Sequence, residues 1–498
     1  MRKQGAEWLG VLPVPSFRGG LKKDMRRNEV GLNDNRLTRR RMLVGTTLGA
    51  VSLVLAACSG DAQQGSGPAS STPAAAGSET TGTPKANAAA ASSSAESIKG
   101  MTLSFVGGSY FIPDAQSLFQ KQLKQWGDDN GVTVSSDFLN WPDLQAKIAA
   151  AVQSGAGADM FELWPGWTYL YSNNLADVGD VADAVGKAQE GYYDGWVTPA
   201  VKVNGTWLGV PTGTSNAVYT YRISYLKQAG VDDPEHHFPD TWEDLFALGK
   251  KLKGLGKPIG QAIGHSLGDP PSFCYPYMWS YGAMEVEKDG KTVAFNKPEF
   301  VDAMKRFVQA WKDGFDTAGL AGDDGYNNRA YLADQISMTI NGTSIYYAAV
   351  KQSPKMADDT NHGTIPKGPS GRFYNMGSHA FGVIKGSKNL AAAKAFMQWW
   401  FDKKQFGDWL HIQNTYQLPP TKAWESDPMW KQDPKLAAVG EEMKYGRLIG
   451  FAGEPNQKAA LTSSKYVVVD TFARAVQSGD AQSAINWGAE QLKQIYGG

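Results

Sequence analysis

The chain has 498 residues, equal numbers of basic and acidic side chains, and only two cysteines. Residues 1–57 hold eleven Lys and Arg against four Asp and Glu, which leaves the rest of the chain with a net charge of −7. This acidic remainder argues against nucleic acid as a partner, because phosphate binding needs a basic face, and two cysteines exclude a Cys-rich metal site.

The first predicted segment is an export signal at residues 1–57. Three arginines, Arg39 to Arg41, precede an uncharged apolar run that is too short to span a membrane comfortably. The surrounding letters TRRRML resemble a twin-arginine motif, although an ordinary secretion signal is also basic. LAAC, which ends at Cys58, resembles a lipobox whose cysteine becomes lipidated. Translation starts at Met1 or, because the leader is long, at Met25.

The next predicted segment, residues 58–98, is a flexible tether. It is almost entirely Ser, Ala, Gly, Thr, Gln and Pro, a composition that cannot bury enough apolar surface to fold. Lipidation of Cys58 would leave Cys274 as a lone thiol. Phe273 and Tyr275 flank Cys274, so we expect this thiol to be buried and structural.

The folded body begins with alternating strands and helices. The pattern predicts strands at 101–106 and 132–139, amphipathic helices after each, and a third strand that starts near residue 159. Strand, helix, strand, helix, strand is typical of a parallel twisted sheet.

The middle of the chain predicts a hairpin, a crossing and a capped helix. Asn204-Gly205 suits the positive φ angles of a tight turn, and Val210-Pro211 is expected to end the strand that follows. Residues 212–216 are small and polar, as a segment crossing between two bodies would be. A strand at 218–225 and a helix capped by Thr241 come next. Later patterns predict an extra hairpin at 285–293 and helices at 300–314, 391–401 and 481–496.

Several stretches resemble extracellular solute-binding proteins of ABC importers, in the sugar-binding branch that includes maltose-binding protein. GAGADMF at 155–161 resembles that family's SGTGPDV, ISMTING at 336–342 its AMTINGxW, and GTIPKGP at 363–369 its LPxGP. The resemblance runs in collinear order over residues 100–498. It implies an α/β, two-lobe periplasmic-binding-protein fold of type II with the ligand in the interlobe cleft.

The resemblance also implies domain boundaries and a function. Lobe 1 is expected at residues 99–211 plus 380–417, and lobe 2 at 212–379 plus 418–498. The implied function is that of a lipid-anchored, monomeric, non-catalytic receptor on the outer face of the cell membrane or in the periplasm, without a cofactor. It would capture a carbohydrate by hinge closure and deliver it to an ABC permease.

Ten side chains are candidates for the ligand site. Flat indoles and phenols suit the apolar faces of sugar rings, and a few convergent polar groups fix a ligand's orientation. The alternatives are core packing for the aromatic residues and the satisfaction of backbone groups for the polar ones. Ser344 stands where the family commonly has Trp, which argues against a maltodextrin. The candidates are Trp141, Glu162, Trp164, Trp167, Asn216, Trp279, Asn341, Tyr346, Ser378 and His379.

Three other functions remain open on sequence alone. GHSLG at 264–268 matches the G-x-S-x-G elbow of serine hydrolases, with Ser266 as nucleophile, although the lead-in is glycine-interrupted and Asp269-Pro270-Pro271 is expected to limit the helix an elbow needs. The tyrosine pairs at 192–193 and 346–347 resemble those of ferric-ion binding proteins. Glycerol phosphodiesters also fit the family. His236-His237 lacks metal-ligand spacing and is interpreted as a solvated loop.

Overall fold

Two β-sheets organise residues 98–497, the part of the chain that the computed structural model describes. The predicted export signal, Cys58 and all but the last residue of the tether lie outside these residues. That last residue, Ile98, is buried in the core rather than part of the tether.

The strands carry the labels β1 to β13 in chain order. They are β1 Thr102–Gly108, β2 Thr133–Leu139, β3 Met160–Leu163, β4 Lys202–Val203, β5 Thr206–Trp207, β6 Val210–Ser215, β7 Val218–Arg222, β8 Met338–Asn341, β9 Thr360–Gly363, β10 Tyr374–Asn375, β11 His379–Val383, β12 Gln417–Leu418 and β13 Gly446–Arg447.

The α-helices are labelled α1 to α18 in the same way, and short 3₁₀ turns occur between some of them. They are α1 Pro113–Asn130, α2 Trp141–Ser154, α3 Trp167–Leu170, α4 Gly179–Ala188, α5 Thr198–Val201, α6 Ile223–Gln228, α7 Trp242–Gly254, α8 Asp269–Ser280, α9 Pro298–Gly314, α10 Tyr326–Leu332, α11 Ser344–Gln352, α12 Pro354–Asp358, α13 Leu390–Trp400, α14 Lys403–His411, α15 Glu442–Tyr445, α16 Gln457–Ser464, α17 Val467–Ser478 and α18 Ala481–Tyr496.

The larger sheet has six strands in the order β12-β6-β11-β3-β1-β2. β1 runs parallel to both β2 and β3, as the alternating strand and helix pattern predicts. β11 enters antiparallel between β3 and β6, so the chain returns to this sheet long after leaving it. The carboxyl ends of β1 and β3 therefore lie side by side, which is where open α/β sheets bind ligands.

The smaller sheet is antiparallel, in the order β8-β7-β9. β7 ends at Arg222, three residues before the predicted end, and α6 begins directly after it. α7 begins as predicted, because the Thr241 hydroxyl accepts a hydrogen bond from the Asp244 N–H at 3.2 Å. α9 packs against α7 beside this sheet.

The prediction that Pro211 ends its strand is wrong. β6 begins at Val210 and continues through the segment expected to be a polar crossing, as far as Ser215. A sheet accepts this proline because β12 pairs only with Thr214 and Ser215, so Pro211 has a ladder partner on one side only. The crossing between the two sheets is therefore short and consists of Asn216 and Ala217, between β6 and β7.

The remaining predicted elements are largely in place. Asn204 and Gly205 both have positive φ angles in the β4–β5 turn, and Val286 bridges Val293 in the predicted extra hairpin. Cys274 is fully buried, and burial raises the pKa of its thiol. No helix within residues 98–497 is long and apolar enough to cross a membrane.

We expect Gly213→Ala to destabilise the protein by roughly 2–4 kcal/mol. Gly213 has a φ of +94°, and an added Cβ would overlap the carbonyl oxygen of Leu418 in β12. Gly205→Ala is the matched control, since Gly205 has a φ of +82° and open space around its Cα. Denaturant unfolding should show a clearly larger loss for Gly213→Ala. Equal losses would show that backbone strain alone, and not the close approach of β12, fixes this glycine.

Candidate functional site

A cavity of about 1190 Å³, open to solvent, lies at the carboxyl ends of β1 and β3. Its wall includes residues of the larger sheet, the β6–β7 crossing, the end of β8 and the loop before α8. Six of the ten predicted ligand residues line it, namely Trp141, Glu162, Trp164, Asn216, Asn341 and His379. These six predicted residues therefore share one cavity.

Three aromatic side chains form one wall of the cavity. The ring centroids of Trp141 and Trp164 are 4.8 Å apart, and His379 lies 5.0 Å from the first and 4.7 Å from the second. Gly108 makes this arrangement possible, because a Cβ at that position would overlap the Trp141 ring. Trp164 is half-buried and Trp141 is only 8 % exposed, so the cluster offers one rigid, partly open apolar surface.

Glu162 brings a carboxylate to the end of β3. Its side chain is buried, and its Oε2 accepts a hydrogen bond from the Gly108 N–H at 3.1 Å. On the other side, His379 Nδ1 lies 3.9 Å from Glu162 Oε1. The carboxylate is therefore fixed by the neighbouring strand, with an acceptor available beside the aromatic wall.

The predicted polar residues at the crossing are occupied by structural hydrogen bonds. Asn216 donates to the Thr415 carbonyl at 2.7 Å and accepts from the Thr343 N–H at 3.0 Å. Asn341 Nδ2 donates to Asn328 Oδ1 at 2.6 Å. These two asparagines line the cavity, but the hydrogen bonds seen for them join segments of the protein near the crossing to one another.

Four predicted residues lie outside the cavity wall. Trp167 and Trp279 are buried in the core, where Trp279 packs 5.3 Å from Tyr275. The Tyr346 hydroxyl donates to Asp433 Oδ2 at 2.7 Å. The Ser378 hydroxyl accepts from the Gly213 N–H at 3.1 Å. The contacts of the two tryptophans are those of core residues, and Tyr346 and Ser378 form hydrogen bonds within the protein.

Asp269 and Asp324 line the cavity and were not among the predicted site residues. The Asp324 carboxylate accepts hydrogen bonds from the N–H groups of Gly268 and Asp269, at 3.1 and 2.9 Å. Burial raises the pKa of both carboxyls, and the charge of Asp324 raises that of Asp269 further. The two residues are 55 positions apart, so no local motif announces the pair.

Several aromatic residues of the wall were also missed. Tyr110, Trp409 and Tyr416 line the cavity, and the Tyr110 hydroxyl and Trp409 Nε1 are buried without a hydrogen-bond partner in the described structure. Trp409 lies on α14 with Phe406 and Leu410, a pattern that reads as core packing. Tyr110 lies two residues after β1, at the carboxyl end of a strand, and this position could have indicated it.

The structure does not support the serine-hydrolase alternative, because Ser266 does not lie in a nucleophile elbow. No strand leads directly into Ser266, since the structure has none in residues 257–268. Its side chain is buried, and the neighbouring His265 is paired with Asp470 at 2.6 Å. One part of the prediction is wrong, since Asp269-Pro270-Pro271 does not limit the helix. These residues begin α8, where prolines fit because the first helical N–H groups need no partner.

The ferric-ion alternative also lacks support in the structure. Within residues 98–497, no group of three or more His, Cys, Asp or Glu is placed to hold a metal ion. The Tyr192 hydroxyl donates to the Ala182 carbonyl at 2.9 Å instead. His236 lies in an exposed loop beside Asp233, as predicted.

A buried carboxyl supports the crossing and predicts a pH dependence. Glu442 Oε2 accepts from the Ala217 N–H at 2.9 Å, and burial raises the pKa of Glu442 from 4.5 to about 8. The folded protein therefore keeps a proton that the unfolded chain releases above pH 4.5. This contribution to stability is complete below pH 4.5 and is lost as the pH rises through about 8.

We expect Glu442→Gln to reduce the fall of the unfolding free energy between pH 5 and 7.5 by about 1.4 kcal/mol per pH unit. The amide keeps an acceptor for Ala217 and cannot ionise. The variant retains part of the slope, because burial also raises the pKa of Glu285 to about 7. Urea unfolding at several pH values measures both slopes. Identical slopes would contradict the assignment.

Comparison with known proteins places the chain in context. A sequence model described as bacterial extracellular solute-binding protein matches residues 121–438. A relative named as an ABC transporter periplasmic-binding protein, YcjN of Escherichia coli K12, is 22 % identical to this chain over 399 residues. The match covers 76 % of this chain and 89 % of that protein.

Solved structures resemble the fold closely at low identity. Maltose-bound MalE3 of T. maritima superposes with a TM-score of 0.68 at 19 % identity, covering 80 % of this chain and all of that one. A sugar transporter from Arthrobacter chlorophenolicus A6 with bound laminaribiose gives 0.68 at 17 % identity, covering 79 % of this chain and 99 % of that one. The two-lobe α/β fold expected from sequence is confirmed.

Proposed function

Because the chain belongs to the bacterial extracellular solute-binding proteins, we propose that its cavity captures a carbohydrate outside the cell and delivers it to an ABC permease. The family resemblance predicted from sequence is thereby confirmed, and the protein is a solute receptor rather than an enzyme. The relatives with bound maltose and laminaribiose support a carbohydrate as the solute of this chain.

The observation that carries this proposal is an aromatic wall beside a fixed carboxylate. Trp164, half-buried against Trp141, offers an apolar face of the kind on which a sugar ring stacks. Glu162, held by the Gly108 N–H, offers an acceptor for hydroxyl groups next to that face. One apolar face with hydroxyl groups around its edge is the shape of a sugar ring.

The charge of the wall argues against an anionic solute. In the described part of the chain no lysine or arginine lines the cavity, whereas Glu162, Asp269 and Asp324 do. A glycerol phosphodiester would bring its phosphate to these carboxylates without a cation to offset the charge. A carbohydrate is therefore the better candidate.

Hinge closure is the proposed mechanism. The cavity wall draws on the larger sheet through Glu162 and His379, and on the smaller sheet through Ile340 and Asn341. A ligand that contacts both sheets binds better when they are close, and it shifts the protein toward that form. The short crossing at Asn216 and Ala217 is the proposed place of bending.

The export route and anchor belong to this proposal as well. We infer from the sequence that a twin-arginine-like signal exports the chain, that Cys58 is lipidated, and that the tether holds a monomeric receptor at the outer face of the membrane. Conversion of Cys58 to serine should release the exported protein from the membrane fraction. The lobe boundaries at residues 211 and 379 stay a prediction.

Thermal unfolding of the purified protein against a panel of neutral mono- and oligosaccharides and their amino derivatives tests the proposed solute class. A sugar present at about a thousand times its Kd adds roughly 4 kcal/mol to the folded state, a shift of several degrees. We expect such a shift with one group of related sugars. A well-folded protein that responds to no sugar, but to a phosphodiester, would contradict the proposal.

A further inference from the structure

Two of the carboxylates in the cavity wall have no positive partner. Glu162 has His379 beside it, at 3.9 Å. Neither Asp269 nor Asp324 forms a salt bridge within the described residues, and both side chains are partly exposed in the cavity wall. Two neighbouring carboxyls without a cation repel each other when they ionise, so a solute that brings a positive charge would be favoured here.

Asp269 also carries an unused acceptor. Its Oδ2 is buried and has no hydrogen-bond partner within the described residues, although the side chain lines the cavity. Asp324, by contrast, is held in place by the N–H groups of Gly268 and Asp269. The pair therefore combines one fixed carboxylate and one with a free oxygen, in the same part of the wall.

Three carboxyl groups line this cavity, those of Glu162, Asp269 and Asp324, together with the phenol of Tyr416. Burial raises the pKa of the Tyr416 hydroxyl, and the charges of Asp269, Asp324 and Glu162 raise it further. The Tyr110 hydroxyl, buried without a partner, lies in the same wall.

The chemistry of this region favours an organic ammonium group over other solute groups. A metal ion is not favoured, because no described group of His, Cys, Asp and Glu has ligand geometry. A neutral hydroxyl can donate one hydrogen bond but brings no charge. An ammonium group brings a positive charge and three donors.

We propose that the solute is an amino sugar whose protonated amine binds between Asp269 and Asp324 while its ring packs on the tryptophan wall. This inference rests on the proposed function and narrows its solute class. It assigns to Asp269 and Asp324 the recognition of the amine, and to Trp141, Trp164 and Glu162 the recognition of the ring.

Calorimetric titration with matched sugar pairs tests the inference. Glucosamine, galactosamine, mannosamine and chitosan oligosaccharides are each compared with glucose, galactose, mannose and cello-oligosaccharides. We expect at least one amino sugar to bind about 10-fold or more tightly than its neutral counterpart. Asp269→Asn should remove that preference. Asp194→Asn, an exposed acid outside the cavity wall, should preserve the preference.

N-acetyl derivatives test the same contact from the ligand side and need no variant. Acetylation removes the positive charge and keeps the ring, so the N-acetyl sugar should bind no more tightly than the neutral one. Neutral sugars that bind as tightly as their amino counterparts, or a preference that survives Asp269→Asn, would overturn the inference and leave the proposed function standing. Failure of every sugar, amino or neutral, would overturn both.

Discussion

Trp400→Ala is expected to lower the free energy of unfolding by about 3–5 kcal/mol. Trp400 is fully buried, and its ring centroid lies 5.4 Å from Phe119, 5.0 Å from Phe381 and 5.2 Å from Trp409. These neighbours come from α1, β11 and α14, so the indole joins the larger sheet to two helices. Truncation leaves a cavity that three separate elements would have to close.

The same substitution breaks a buried hydrogen bond. Trp400 Nε1 donates to Gln122 Oε1 at 2.8 Å, and Gln122 Nε2 donates to the Gln405 carbonyl at 2.9 Å. Removal of the indole leaves a buried acceptor unpaired. This loss costs about 1–3 kcal/mol, which is included in the total loss of unfolding free energy expected for Trp400→Ala.

Trp399→Ala is the matched control, at the adjacent position of α13. Trp399 is half-buried and has its ring 6.2 Å from Phe396. We expect its loss to cost about 1 kcal/mol. Guanidinium unfolding of both variants gives the comparison. Similar losses for the two tryptophans would contradict the assignment of Trp400 to the centre of this core.

Trp164→Ala is expected to weaken binding of the responding sugar about 100-fold, or about 2.7 kcal/mol. Trp164 is the most exposed of the three rings in this wall, so it presents the surface on which a sugar would lie. It sits after β3 rather than in a regular element, so stability should change much less than for Trp400→Ala. Calorimetric titration measures the affinity and thermal unfolding the stability.

Trp487→Ala controls for the loss of an indole elsewhere. Trp487 lies on α18, with the Arg474 guanidinium 4.0 Å from its ring centroid, and it does not line the cavity. Its removal should leave affinity unchanged. An unaltered affinity for Trp164→Ala would remove Trp164 from the site and would shift the proposed stacking surface to Trp141 or Trp409.

Regular elements with local signals were predictable from the sequence. The closing helix at 481–496 agrees with α18 at both ends, because its amphipathic spacing and its limits are local features. The N-cap of Thr241 and the turn at Asn204-Gly205 agree for the same reason. The position of Trp141 and Trp164 followed from the rule that ligands bind at the carboxyl ends of parallel strands.

What the sequence did not show depends on contacts between distant segments. Pro211 can lie in β6 only because β12 is short and pairs farther along the strand, and β12 comes from residues 417–418. The juxtaposition of Asp269 and Asp324 requires a fold that brings α8 and the loop before α10 together. Trp279 resembled a site residue by composition, yet it lies on a helix that is buried on all sides.

A crystal structure of the protein with the sugar that gives the largest thermal shift would show whether this cavity is the carbohydrate site. We expect the sugar ring against Trp164, with its hydroxyl groups within hydrogen-bond distance of Glu162. A sugar bound elsewhere, or one that touches neither residue, would contradict it.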